Sequence, residues 1–155
     1  MARHYVDFEF DGHGGPVLSV GIVSDHKDGM HATTRAMAED AWVVENVIPL
    51  MQMHAAPHHF DVEEHDLGKL LRHYLGDDDC PTIVADSPVD IWRFCQCLST
   101  SSTGGGASAE YPMMQFEVRN IDCYPTELPG AIQHNAWWDA AALRFALTGK
   151  EPNHE

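Results

Sequence analysis

Basic residues are scarce in this chain, 9 lysines and arginines against 24 aspartates and glutamates, for a formal net charge of −15. That balance excludes a protein that holds long nucleic acid on a broad basic surface. It does not exclude an enzyme that grips a few terminal nucleotides, because divalent cations and local contacts can supply the missing positive charge. Such an enzyme would take short or frayed ends with modest affinity. Long apolar runs are also missing. None approaches the roughly 18 residues of a membrane span, and Met1 to Asp7 lacks the apolar stretch of an export signal. The expectation is a cytoplasmic protein with no membrane partner. Four cysteines, Cys80, Cys95, Cys97 and Cys123, are too few in 155 residues for a disulfide scaffold and should stay reduced. Cys95-Gln96-Cys97 is too short for a CxxC site, so these thiols are expected to be small buried or half-buried groups, with a helix after Asp90 among their positions.

The 155 residues, 44% hydrophobic, suit one globular domain spanning 1–155, with a Gly/Ser-rich flexible loop over 99–110 and a tail over 150–155. Alternation predicts a strand over His4 to Phe10. Asp11 to Pro16 is turn chemistry, leading to a second strand over Val17 to Val23 and a third near Met30 to Thr33. A helix is expected from Glu39 to Leu50, ended or kinked by Pro49. Asp61 is expected to cap another, from Val62 to Leu75, that stops at Gly76. Pro81 to Ala85 reads as a short buried strand, Ser87 and Pro88 as the start of a helix to about Leu98, and Met114 to Val118 as a last strand before a closing helix.

Three acidic patches stand out. Asp7 and Glu9 are two apart in the first strand, so they share a face. Two carboxylates on a buried face repel, and their natural partner is a cation that prefers oxygen, Mg²⁺ or Mn²⁺ rather than zinc. The alternative is the solvent side of an edge strand. In Asp86-Ser87-Pro88-Val89-Asp90, Asp90 is either a site carboxylate or half of a helix capping box. In His134-Asn135-Ala136-Trp137-Trp138-Asp139, His134 and Asp139 are five apart and cannot share one face of a regular helix. If Asn135 caps the helix, His134 lies on the preceding loop, Asp139 points inward from the first turns, and Ala136 keeps its approach open; otherwise this is an ordinary capped helix with Trp137, Leu143 and Phe145 in the core.

These patches, in this order and from about Val6 to Leu147, resemble the DEDDh 3′-5′ exonucleases of the ribonuclease H-like superfamily. The opening Asp-Phe-Glu-Phe, the helix from Trp42 to Pro49 and the closing Asn-Ala-x-x-Asp look most similar to small bacterial and phage-type 3′-5′ exoribonucleases. The resemblance implies an α/β ribonuclease H-like fold with a mixed five-stranded sheet flanked by helices. It implies two divalent ions, Mg²⁺ or Mn²⁺, held by Asp7, Glu9, Asp90 and Asp139, with Asp86 as second choice for the place of Asp90. His134 would be the general base. Phe8, Phe10 and Ala136 would line the pocket for the terminal nucleotide, Phe8 by its backbone and by stacking on a base. The implied substrate is single-stranded nucleic acid, RNA favoured over DNA, with the single cleft or a homodimer setting preference. The alternatives are a DNA exonuclease of the same class and a non-catalytic binding module, which the acidic surface and Asp86, where proofreading members have asparagine, favour.

Other features promise less. His54, His58, His59 and His65 have a spacing open to a transition metal but lie in a Pro-containing stretch without cysteine. Asp77-Asp78-Asp79 lacks the remaining ligands of a calcium loop and reads as a solvated turn. Lys69 and Arg72 have the spacing of an ordinary exposed helix face.

Overall fold

The computed structural model describes residues 2–53, 56–76, 78–99 and 113–152. Most of the expected loop over 99–110, residues 153–155 of the expected tail, His54 and Asp77 lie outside them. The chain forms an α/β fold around a six-stranded mixed sheet in the order β4-β3-β2-β1-β5-β6. The strands are β1 (Arg3–Phe10), β2 (Val17–Ser24), β3 (Met30–Thr34), β4 (His58–Val62), β5 (Thr82–Ala85) and β6 (Gln115–Val118). The helices are α1 (Ala41–Asn46), α2 (Ile48–Met51), α3 (Leu67–Leu75), α4 (Pro88–Ser99) and α5 (Ala136–Thr148). β1 pairs antiparallel with β2 and parallel with β5, so it is an interior strand, and the edge-strand alternative for Asp7 and Glu9 fails.

One strand more is present than the expected five. His58–Val62, expected as an irregular stretch running into a helix cap at Asp61, pairs in parallel with β3 from Met30↔His58 to Thr34↔Val62. It lies at the sheet edge with no residue buried, so it lacks the apolar period that betrays a strand. The following helix starts at Leu67, after a 3₁₀ turn over Glu64–Asp66, rather than at Val62. The expected Glu39–Leu50 helix is also divided. Asp40 caps α1 through the N–H groups of Trp42 and Val43, and the helix breaks at Val47, ahead of Pro49, which has no N–H to continue the ladder.

Packing follows the alternation of β1. Val6 and Phe8 join Leu67, Leu71, Leu75, Phe94 and Cys97 in a core under α3 and α4, the three leucines lying at i, i+4 and i+8 of α3. Tyr5, on the other face, packs with Val84 of β5 and Leu143 of α5. The β1–β2 register shifts between Glu9↔Ser19 and Phe10↔Val17, which leaves Leu18 as an extra residue. That bulge lets Val17 and Val20 share the α3/α4 core while Leu18 turns to Val43, Val47 and Met51 of α1 and α2. Arg72 is not a free phosphate contact, since its Nη1 donates to the Leu98 carbonyl and ties α3 to the end of α4.

Asp78 is not a solvated turn residue either. Its carboxylate accepts from His4 Nε2 at 2.9 Å, His26 Nε2 at 3.0 Å and Lys27 Nζ at 2.9 Å, fastening the turn after α3 to the start of β1. Burial holds the His4 imidazole down at about 4, against the pull of Asp78, and Lys27 above all, with His4 and His26, holds Asp78 below the usual carboxylate range despite its own burial.

Helix α5 lies on β1 and β2, and its approach depends on Gly21 and Gly29. A Cβ on Gly21 would fall 2.2 Å from the carbonyl carbon and oxygen of Ala136, and one on Gly29 would fall 2.9 Å from Trp137 Nε1 and 2.6 Å from the Ile22 oxygen. Backbone rather than a flexible side chain meets the new atom at Gly21, so the helix itself must move. Gly21→Ala is expected to destabilise the fold by about 1–3 kcal/mol, read by urea unfolding. Unchanged stability would show that α5 does not rest on this glycine.

Candidate metal centre

Because β1 and β5 are parallel neighbours, the C-terminal half of β1 meets the end of β5 and the start of α4. Asp7 and Glu9 come from β1, Asp86 from the turn after β5, and Asp90 and Asp139 from the first turns of α4 and α5. Side-chain oxygens of Asp7, Glu9 and Asp139 lie within 4.8 Å of one another, and so do those of Asp7, Asp86 and Asp90. The two groups share Asp7. The structure thus brings together Asp7, Glu9, Asp90 and Asp139, and it adds Asp86 beside Asp90 instead of choosing between them.

The electrostatics are those of uncompensated acids. Burial, then the charges of Asp139, Asp90, Glu9 and Asp86, push the Asp7 carboxyl far above its usual range. Glu9 is pushed up to about 8 by burial and by Asp139 and Asp90. Asp90 rises to about 7 through burial and Asp86, although hydrogen bonds to the backbone of Phe8 and to its own backbone pull it down. Asp139 rises to about 7, chiefly by burial. Asp86 is raised by burial.

Asn135 caps α5, its side chain accepting from Trp138 N–H at 3.3 Å and donating to the carbonyls of Leu50 and Met53. His134 therefore stands on the loop before the helix, with φ at 64°, a left-handed conformation costly for a residue with a side chain. That turn aims its N–H at Asp139 Oδ2, 2.9 Å away, and sets its ring edge-on to Trp42, 5.3 Å between centroids. His134, Asp7, Asp86 and Asp139 line a cleft of about 120 Å³, together with Asp122, Cys123 and Tyr124.

The expected nucleotide-pocket residues divide. Phe8 is 3% exposed in the α3/α4 core, so its ring cannot stack on a base, and only its backbone reaches the site, through Asp90. Ala136 is fully buried with its backbone on Gly21, where it supports the helix. Phe10 does line a cavity of about 530 Å³, beside Glu9, Gly12, His13, Asp40 and Trp42. Two residues of the site went unpredicted. Trp42, 55% exposed, stands between that cavity and His134, and its helical position gave no sign of this. Tyr124 comes from a loop with no motif; its hydroxyl and Asp139 affect each other's ionisation, yet neither Tyr124 Oη nor Asp139 Oδ1 has a partner in hydrogen-bond geometry. Cys123, a free thiol, borders the same acids, and burial with Asp86, Asp139 and Asp122 pushes it up to about 12.

The histidine stretch makes no centre of this kind among the described residues. Among the described residues His58 pairs with Asp28, His59 lies against His31 in adjacent strands, and neither belongs to a group with metal-ligand spacing. The carboxylate cluster, by contrast, fits oxygen-preferring divalent cations. Every donor is a carboxylate oxygen, Asp139 Oδ1 is buried without a donor, and the acids repel one another without positive charge. Comparison with known proteins finds no matching family model and no matching curated protein. Among the described residues no helix is long and apolar enough to cross a membrane.

The raised carboxyls set the pH dependence of the metal-free fold. Folded Glu9, Asp90 and Asp139 keep protons up to about 8, 7 and 7, whereas the unfolded chain releases them near 4. The folded state then binds more protons, so these groups make stability fall as pH rises from about 4 to about 8. Buried His4 acts oppositely between about 4 and 6.5, and the window from 6.5 to 8.5 isolates the acids. In chelator, the melting temperature is expected to fall across that window, and Asp7→Asn is expected to raise it at pH 8 while removing the rise that Mn²⁺ gives the wild type. A wild type that gains stability with pH there, or an Asp7→Asn variant that melts lower, would contradict the cluster's burial.

Proposed function

We propose that this protein is a metal-dependent 3′-5′ exonuclease of the ribonuclease H-like superfamily, cytoplasmic, that removes nucleotides from the 3′ end of single-stranded RNA or short overhangs. The observation that carries the reading is the pair of carboxylate triads joined at Asp7, with His134 at their rim. The element order supports it: β1 to β3, the α1–α3 helices, β5, α4, β6 and α5 match the order of that fold, with β4 added at one edge.

Asp7, Glu9 and Asp139 would hold one divalent ion, and Asp7, Asp86 and Asp90 the other. Bound there, such ions lower the pKa of an attacking water and neutralise charge on the phosphate and the leaving 3′ oxygen. His134 takes the proton of that water at a ring nitrogen, a task suited to an imidazole at neutral pH. Its main-chain N–H meanwhile fixes Asp139 Oδ2, so one residue orients a ligand and supplies the base. Trp42 offers a face on which the terminal base can stack, and the adjacent cavity beside Phe10 has room for it. The preference for RNA and a homodimeric state rest on the resemblance alone.

The test is degradation of 5′-labelled single-stranded RNA and its DNA counterpart with Mg²⁺, Mn²⁺ or chelator. A ladder shortening from the 3′ end is expected with metal only. His134→Ala should lower turnover about 10²–10⁴-fold while keeping the Mn²⁺-induced thermal shift, Asp7→Asn should lose both, and Trp42→Ala should raise KM more than it lowers kcat. Faster cleavage of DNA would move the assignment to a DNA exonuclease. Intact substrate throughout, with the metal shift retained, would favour the non-catalytic binding module.

A further inference from the structure

Of the six arginines, five have an anionic or carbonyl partner: Arg3 and Arg119 with Glu117, Arg35 with Asp61 and Glu63, Arg72 with the Leu98 carbonyl, and Arg144 with Asp25 and the Glu151 carbonyl. Arg93 has none. It lies in α4, 2% exposed, with its guanidinium stacked 4.7 Å from the ring of Phe10 and 4.7 Å from that of Trp92. Nη1 donates to Gln96 Oε1 at 3.2 Å, while Nε and Nη2 are buried without a hydrogen-bond partner. Those two nitrogens form one edge of the fork, whose parallel N–H groups match two oxygens of a carboxylate or phosphate. A buried charge held between aromatic faces with that edge empty is costly unless an anion completes it.

Space lies beside Gln96. A cavity of about 190 Å³ is lined by Gln96, the partner of Arg93, and by Val17, His65, Glu64 and Cys97, the last near enough to Arg93 to feel its charge. At about 30 Å³ for a water's share of liquid volume, it holds a group the size of phosphate. Glu64 is the one carboxylate among the described residues of this wall, and its Oε1 already accepts from Val17 N–H at 2.8 Å.

We propose that Arg93, with Gln96, forms an oxyanion site for a phosphate group, separate from the carboxylate cluster and independent of divalent metal. Arg93 stands about one turn after Asp90 in α4, so the site borders the acidic centre. The anion is either a phosphate of a nucleotide chain or the free ion, and the recognising chemistry is the same. The inference stands apart from the nuclease reading, because phosphate binding in chelator is measured without turnover.

The experiment is thermal unfolding of the full chain in EDTA, titrated with inorganic phosphate against sodium chloride of matched ionic strength. A saturable, phosphate-specific rise in melting temperature is expected for the wild type. Arg93→Met, which keeps the apolar stem between the rings, should abolish the rise and melt no lower than the wild type without phosphate. Arg93→Lys, which keeps charge but not the fork, should weaken phosphate at least tenfold. No phosphate-specific rise in the wild type, or an equal rise in Arg93→Met, would overturn the site. Repeating the titration with a nucleoside 5′-monophosphate separates the sources: tighter binding than inorganic phosphate identifies a nucleotide's phosphate, equal binding the free ion.

Discussion

Repulsion among the carboxylates around Asp7 is the constraint on which the rest of this structure depends. Five acids meet on an interior strand, the turn after β5 and two helix starts, where burial first and then the charges of neighbouring acids raise the proton affinity of Asp7, Glu9 and Asp90. A surface would let them separate, but this scaffold does not. Asp7 and Glu9 are fixed by their pairing with Gly21 and Ser19 of β2, and Asp139 by α5 resting on Gly21. What offsets the repulsion within the chain is modest: Asp90 and Asp139 stand in the first turns of α4 and α5, where the helix dipole favours an anion by about 0.3–1 kcal/mol, and main-chain hydrogen bonds assist both. Those terms are small beside several buried charges, and the protons held at neutral pH are the sign that they do not suffice.

Much of this was legible because the chemistry is local. The period-two face of β1, the hairpin turn, the Asn135 cap and the position of His134 before the helix each follow from a few adjacent residues, and the structure shows them. What stayed hidden depends on contacts between distant segments. β4 has no apolar stripe, since an edge strand with no buried residue can rest largely on main-chain pairing, to which sequence pattern is blind. Phe8 and Ala136 lie beside the acids in sequence but are buried by the α3/α4 core and by Gly21. Asp78 looked like one of three turn acids until β1 and the loop after β2 brought His4, His26 and Lys27 to it.

The same scarcity of cations links the acidic cluster to Arg93. A charge of −15 leaves few positive groups, and most arginines are neutralised in internal ties between elements. A phosphate approaching the cleft would meet Asp7, Asp86, Asp122 and Asp139, with no lysine or arginine among the described lining residues. Such a cleft repels a polyanion unless positive charge is supplied. On the nuclease reading proposed above, metal would bind before substrate, and an anion site outside the cluster would let phosphate engage without that step.

Strain at His134 fits this picture. A left-handed residue with a bulky side chain persists only where its surroundings over-determine it, and here three ties do so: the N–H to Asp139, the ring against Trp42, and the Asn135 cap bonded to the carbonyls of Leu50 and Met53. The last tie joins the His134 loop to α2, so Trp42 on α1 and His134 belong to one connected unit. The distance between the Trp42 face and the His134 ring is thus set by the packing of α1 and α2 on Leu18, which the β1–β2 bulge turns toward them. A register irregularity next to Glu9 fixes geometry on both sides of the site: it ends the regular pairing after the last carboxylate of β1, and it supplies the anchor for the helices that place the aromatic wall.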